Sequence, residues 1–409
     1  VVDDDLVYNR RVDTPAKPPI PASRLPLVEL AGKPRAMGEA FGEQFRAEIG
    51  SFYRLRTLNA LAQAQQFGGR RVGERELLSV AAQSLSVSES YDPDGFAELA
   101  GIARAANLSV EQVFAMNGLT DLRDVLAWSS AVPGYGLSTT DRGIDGCTSI
   151  VLAGDVTDAG TPLGGQTWDL ATDNMPYVVA VHRRPKDAPE TWALTTVGCL
   201  SLIGLNAEGL AIGTTNLRTR DARPGICYLS IIHRALSRRG FDGALAAIDV
   251  RHRAAAHYYW VASRDGRVAG VECTATRAAR VDVPRGAYIH TNHVLDPENA
   301  KLEGNPPKPE ESTVFRAARL AELVDARARA RRGWSLDSLR DAFADHAHGE
   351  GAICRHDYAG VSSNGAVVVD LARPAIWATR GTPCVGTWVD LLTGEALEAS
   401  HGLPQPQRP

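Results

Sequence analysis

The sequence predicts an α+β protein in which two antiparallel sheets lie between helical layers. Three observations point there. Helical periodicity fills the chain up to about Trp128, a polar, Gly-punctuated loop of some eighteen residues follows at 129–146, and from Cys147 onward short β-rich runs take over. Two helical stretches interrupt those runs. The order is helices, loop, strands, helices, strands, helices, strands. It does not alternate strand with helix, which argues against a doubly wound parallel sheet.

The elements follow in order. Residues 1–34, with "DTPAKPPIPASRLP", read as an extended Pro-rich arm. Residues 35–146 form a mainly helical segment. "AMGEAFGEQFRAEIGSFYRLRTLNALAQAQQF" carries apolar residues three and four apart and no proline, and further helices are expected near 74–87, 95–107 and 110–128. Ser109 and Gln112 stand at capping-box spacing before the last of these. A structureless loop as long as 129–146 is uncommon in a compact domain and is usually functional. Residues 147–409 carry the sheets and belong to one structural domain with 35–146. Glu208-Gly209 and Asp265-Gly266 read as hairpin turns, and helices are expected at about 226–238, 241–249, 312–330 and 335–346. The basic run "ARARARR" is the solvated C-terminal end of a helix.

Composition narrows the function. A formal net charge of −4 over 409 residues suggests neither a nucleic acid nor a membrane surface as partner. No apolar run is long enough to cross a bilayer as a helix. The six cysteines are scattered, with no C-x-x-C pair and too few for a disulfide scaffold, and they favour a reducing, cytoplasmic compartment. The chain opens on Val1-Val2-Asp3 without a methionine, so an upstream piece is expected. Asn107-Leu108-Ser109 is a formal glycosylation sequon.

Three chemistries compete. In "HAHGEGAICRHD", His346, His348, Cys354, His356 and Asp357 could hold a metal, but their spacing follows no established ligand pattern and the glycines suggest a turn. We expect no metal and no cofactor. A Cys–His dyad would pair Cys147 with His290, His293 or His346, yet a papain-type cysteine opens a helix, and here a strand follows. The third reading begins from Gly146-Cys147, where a cysteine opens a strand at the end of a long loop. In N-terminal-nucleophile (Ntn) hydrolases such a side chain cuts the peptide bond before it, and a preceding glycine leaves the carbonyl open to attack. The freed α-amino group, with a reference pKa near 8, then serves as base for the thiol. This reading accounts for the loop, the glycine, the cysteine and the change of texture together.

"DGCTS", "GGQTWD", "HTNH" and "ICRHD", in that order, resemble the acyl-coenzyme A:6-aminopenicillanic acid acyltransferase family of Ntn cysteine hydrolases. They are more distantly similar to bile-salt hydrolases and penicillin V acylases. The resemblance implies a four-layer αββα sandwich, autocleavage between Gly146 and Cys147 with help from Asp145, and two fragments held as a heterodimer. It implies Cys147 as nucleophile on a small amide or acyl thioester, Asn292 as oxyanion donor, and Asp169 as partner of the freed α-amine. Arg316 or Arg319 would pair with Asp169 or a substrate carboxylate, while Trp168, His293 and Ser363 are supporting candidates. The competing expectations are an uncut, catalytically silent homologue with a binding role, and a metal-dependent hydrolase built on the His346–His356 loop.

Overall fold

The computed structural model describes residues 24–128, 146–304 and 306–397. Asp145, the rest of the 129–145 loop and the first part of the Pro-rich arm lie outside the described residues.

The chain begins with β1 (Leu27–Gly32) and the helices α1 (Pro34–Gln44), α2 (Arg46–Gly68), α3 (Glu74–Tyr91), α4 (Pro93–Ala106), α5 (Val110–Asn117) and α6 (Leu119–Trp128). Then come β2 (Gly146–Leu152), β3 (Leu163–Ala171), β4 (Val178–Pro185), β5 (Thr191–Thr196), β6 (Ile203–Asn206) and β7 (Leu210–Asn216). Helices α7 (Tyr228–Leu236) and α8 (Phe241–Ile248) precede β8 (His257–Ser263), β9 (Val268–Cys273), β10 (Ala278–Asp282) and β11 (Ala287–His290). The chain closes with α9 (Pro297–Ala300), α10 (Ser312–Arg329), α11 (Leu336–Phe343), β12 (Val361–Asp370), β13 (Ala375–Arg380), β14 (Trp388–Asp390) and β15 (Ala396–Leu397).

Two sheets result, one ordered β1-β4-β5-β6-β7-β8-β9-β10 and the other β11-β2-β3-β12-β13-β14-β15. Helices α7 and α8 cover the outer face of the first, and α10 and α11 that of the second, which makes the αββα sandwich. The central strands between are buried on both faces, and β2 is buried along its whole length. Because side chains alternate along a strand, Cys147 and Val151 enter the core between the sheets while Ile150 and Leu152 pack on the α10–α11 side. Gln166 of β3 ties the sheets together. Its amide exchanges two bonds with the backbone of Thr214, each 2.7 Å, and accepts from Trp260 Nε1 at 2.9 Å. A Cβ on Gly213 would stand 2.3 Å from that amide oxygen, so only glycine lets the sheets approach here.

The structure departs from the sequence reading in three places. Leu27–Gly32 leaves the arm and forms an edge strand, with Val28 and Leu30 buried between exposed neighbours; the surrounding prolines hide that short alternation in the sequence. It pairs with β4 in parallel, whereas the other strand pairings are antiparallel. The long first helix breaks at Phe45, and the 110–128 helix breaks at Gly118. The capping box of Ser109 and Gln112 is present. No described helix is long and apolar enough to cross a membrane.

Candidate active site

Strands β2, β3 and β12 place Gly146, Asp169 and Ser363 in one row, since Asp169 pairs with Gly146 on one side and with Ser363 on the other. Asp169 is fully buried. Its Oδ1 accepts from the Ser363 hydroxyl at 2.8 Å, and that hydroxyl accepts from the Arg355 N–H at 3.0 Å. Burial pushes the Asp169 carboxyl up from its ordinary value, while the Arg355 and Arg316 guanidiniums pull it back. A Cβ on Gly146 would lie 2.8 Å from Asp169 Oδ2 and 2.9 Å from Arg355 Nη1. Glycine is thus required at 146 by the charged groups packed against it.

The main chain of Cys147 is held from the second side. Its N–H donates to Asn292 Oδ1 at 2.7 Å, and its carbonyl accepts from Arg316 Nη1. The same guanidinium donates to Thr148 Oγ1 and to Asn292 Oδ1, both at 2.9 Å, and to Ser312 Oγ at 3.0 Å. Two donors on Oδ1 fix the orientation of the Asn292 amide, whose Nδ2 donates to the Asn216 carbonyl at 3.1 Å. Arg316 is 1% exposed, and burial lowers its pKa to about 10, so it stays charged at neutral pH.

The sequence candidates therefore separate. Gly146, Cys147, Asp169, Asn292, Arg316 and Ser363 come together, and Trp168 opposite Cys147 lines the same cavity. Arg319, one turn after Arg316, points away and is held by Asp345 at 2.8 Å and Glu322 at 3.0 Å. The candidate dyad histidines are engaged elsewhere. His290 stacks on Tyr258 and bonds Glu272 and Thr215. His293 faces the Thr291 and Thr313 hydroxyls, and burial lowers its pKa to about 4. His346 faces His356 at 3.1 Å.

The thiol side faces a small cavity between the sheets and the N-terminal helices, lined among others by Arg56, Thr120, Trp168, Tyr228 and His257. Tyr228 stacks on His257, whose Nε2 lies 2.6 Å from Asp121 Oδ1. Arg56 is 7% exposed, and among the described residues no carboxylate pairs with it. Sequence reasoning missed Arg56, Asp121, His257 and Arg355. Arg355 stood inside "ICRHD", and its charge beside two glycine-flanked motifs was the signal available.

An αββα sandwich with a cysteine opening a central strand defines a protein of the Ntn-hydrolase fold. Residues 157–375 match the family described as acyl-coenzyme A:6-aminopenicillanic acid acyl-transferase, and the chain belongs to that family. The family is one of acyl-transferring enzymes. The match includes Asp169, Asn292, Arg316, Arg355 and Ser363 and begins just after Cys147. Among solved structures, a mutant of the conjugated bile acid hydrolase from Clostridium perfringens is similar at 12% identity and a TM-score of 0.44, covering 63% of this chain and 97% of that one. Penicillin V acylase from Agrobacterium tumefaciens is similar at 12% identity and a TM-score of 0.41, covering 60% and 87%.

Proposed function

We propose that the protein is a self-processing cysteine amidohydrolase or acyltransferase with Cys147 as nucleophile. The observation that carries this reading is the grip on both sides of one peptide bond, with Asp169 and Arg355 against Gly146 and with Asn292 and Arg316 on the main chain of Cys147.

In processing, Cys147 Sγ attacks the Gly146 carbonyl, the peptide nitrogen leaves, and the resulting thioester is hydrolysed by water. The products are a carboxylate at Gly146 and a free α-amine at Cys147. In turnover, that amine takes the thiol proton, and the thiolate adds to the substrate carbonyl. Asn292 Oδ1 orients the amine. Asn216 takes one Nδ2 hydrogen of Asn292, and the other donates to the developing oxyanion, an interaction worth roughly 10²–10³ in rate. The ammonium then protonates the departing amine, leaving an acyl thioester for water or an acceptor amine.

The substrate carries an anionic group that meets Arg56. A buried guanidinium with no carboxylate partner among the described residues, in the cavity that takes the thiol, supports this assignment. N-acyl amino acids are the class that places an amide and a carboxylate together.

The test has two arms. On a denaturing gel the purified chain should give fragments 1–146 and 147–409, the second beginning Cys-Thr-Ser on N-terminal sequencing. A band that stays whole and inactive on incubation overturns processing and favours a silent binding homologue. In the second arm, Arg56→Met should raise KM about 10–100-fold for N-acyl amino acids and leave neutral N-acyl amides unchanged. Equal effects on both would remove the anionic substrate class.

A further inference from the structure

A second cluster of reactive side chains lies outside the Cys147 site. The ligand atoms of His346, Cys354, His356 and Cys384 all lie within 4.8 Å of one another. The sequence offered three of them, His346, Cys354 and His356, but not Cys384, which comes from a different element. His346 follows α11, Cys354 and His356 lie in the extended segment before β12, and Cys384 sits in the turn between β13 and β14. Cys354, His356 and Cys384 are buried and His346 is half-buried.

The contacts converge on one nitrogen. His356 Nε2 lies 3.1 Å from His346 Nε2, 3.4 Å from Cys354 Sγ and 3.2 Å from Cys384 Sγ. An imidazole nitrogen has one hydrogen or one lone pair in the ring plane, so it cannot hydrogen-bond three partners at once. Four donors around a shared centre can all be satisfied together. With metal–sulfur bonds near 2.3 Å and metal–nitrogen bonds near 2.0–2.1 Å, the donors of a tetrahedral zinc site stand roughly 3.3–3.8 Å apart. The three separations fall within a few tenths of an ångström of that range.

We propose that His346, Cys354, His356 and Cys384 bind one Zn²⁺ in a tetrahedral Cys₂His₂ site. Binding releases the two thiol protons, and the two thiolates and two neutral imidazoles leave the buried ion with no net charge. All four positions are filled by protein, so no place remains for a reacting water, and the ion is structural. A metal-dependent hydrolase on this loop is thereby disfavoured. The ion also fixes the residues on either side of Arg355. That residue turns the other way along the extended segment, toward Gly146, and exchanges backbone and side-chain bonds with Ser363.

The test is metal analysis of the full chain, expressed with added zinc and purified without chelators. Elemental analysis should find about one zinc per chain, and a thiol-specific mercurial should release it as about two thiols react. Cys384→Ser and His356→Ala should each lose at least about four-fifths of the zinc, while Cys147→Ser keeps it. Should the site variants fail to fold, mass spectrometry of the native wild-type chain and the mercurial titration still decide. A wild-type chain with less than about a tenth of an equivalent overturns the proposal, as does a Cys354–Cys384 disulfide or full zinc in Cys384→Ser. These readouts do not depend on processing or turnover at Cys147.

Discussion

The two faces of β2 differ as sharply as any two surfaces in the molecule. On one face the Cys147 thiol looks into a small cavity walled by aromatic rings and the Arg56 guanidinium. On the other, one residue away along the strand, Gly146 and Thr148 meet a tightly packed set of Asp169, Arg355, Arg316 and Ser363. The alternation of a strand turns the thiol toward the cavity, whose lining Asp169 also reaches. From the charged side, Arg316 bonds the Cys147 carbonyl and the Thr148 hydroxyl. Arg316 thus holds the main chain of Cys147, and the thiol side faces the cavity.

Cys147→Ala tests the contrast most severely. It should abolish processing and turnover together with no loss of fold, read by denaturing gel, product analysis and circular dichroism; residual cleavage at the same bond would break the assignment. Arg316→Met comes next. It strips donors from Cys147 O, Thr148 and Asn292 in a buried position and should cost about 3–5 kcal/mol in denaturant unfolding. Its helix neighbour is the control. Arg319 is 28% exposed, and Arg319→Met should cost less than about 1 kcal/mol. Equal costs would mean that the packed face is not special.

Gly146→Ala should be intermediate. Its methyl group meets Asp169 and Arg355, so stability should fall by about 1–3 kcal/mol and fragment formation should slow. The smallest effect concerns a buried carboxyl lacking the paired guanidiniums of Asp169. Burial pushes Glu303 from its ordinary 4.5 up to about 7. The folded value exceeds the unfolded one, so the stability this group contributes is present at low pH and is lost as pH rises across that window. Glu303→Gln removes the loss. Its Tm should match wild type near pH 5 and exceed it near pH 8, and a gap that shrinks with rising pH would contradict the sign.

Much of this was legible in the sequence because it is local. Helical periodicity, the Ser109 capping box, the Asp265-Gly266 hairpin and the onset of β structure at Cys147 each depend on neighbouring residues. Asp169 and Asn292 stood in short recognisable motifs, and Ser363 came only from the resemblance. What remained hidden depends on long-range packing. Arg56 and Asp121 lie in helices where nothing local distinguishes them from residues facing other partners. Arg316 and Arg319 are both plausible by spacing, and only the crossing of α10 over β2 selects one. Cys384 joins three residues about thirty positions earlier only because β13 turns back beside the 346–356 segment.

The parallel edge strand has a consequence for how a cut molecule would fail. β1 belongs to the piece before residue 146, yet its hydrogen-bond partner β4 belongs to the piece after it. The largest core is likewise shared, with Phe41, Met116 and Leu122 packed in the same cluster as Val179 and Ile212. A cut at Gly146-Cys147 would leave this arrangement standing while changing the molecularity of its loss. The intact chain unfolds and refolds as one molecule at any dilution. The cut one would come apart into two, its midpoint would fall with dilution, and reassembly would require both pieces to meet again. Processing would thus convert a self-contained folding unit into one whose native state, once lost, is regained only at sufficient concentration.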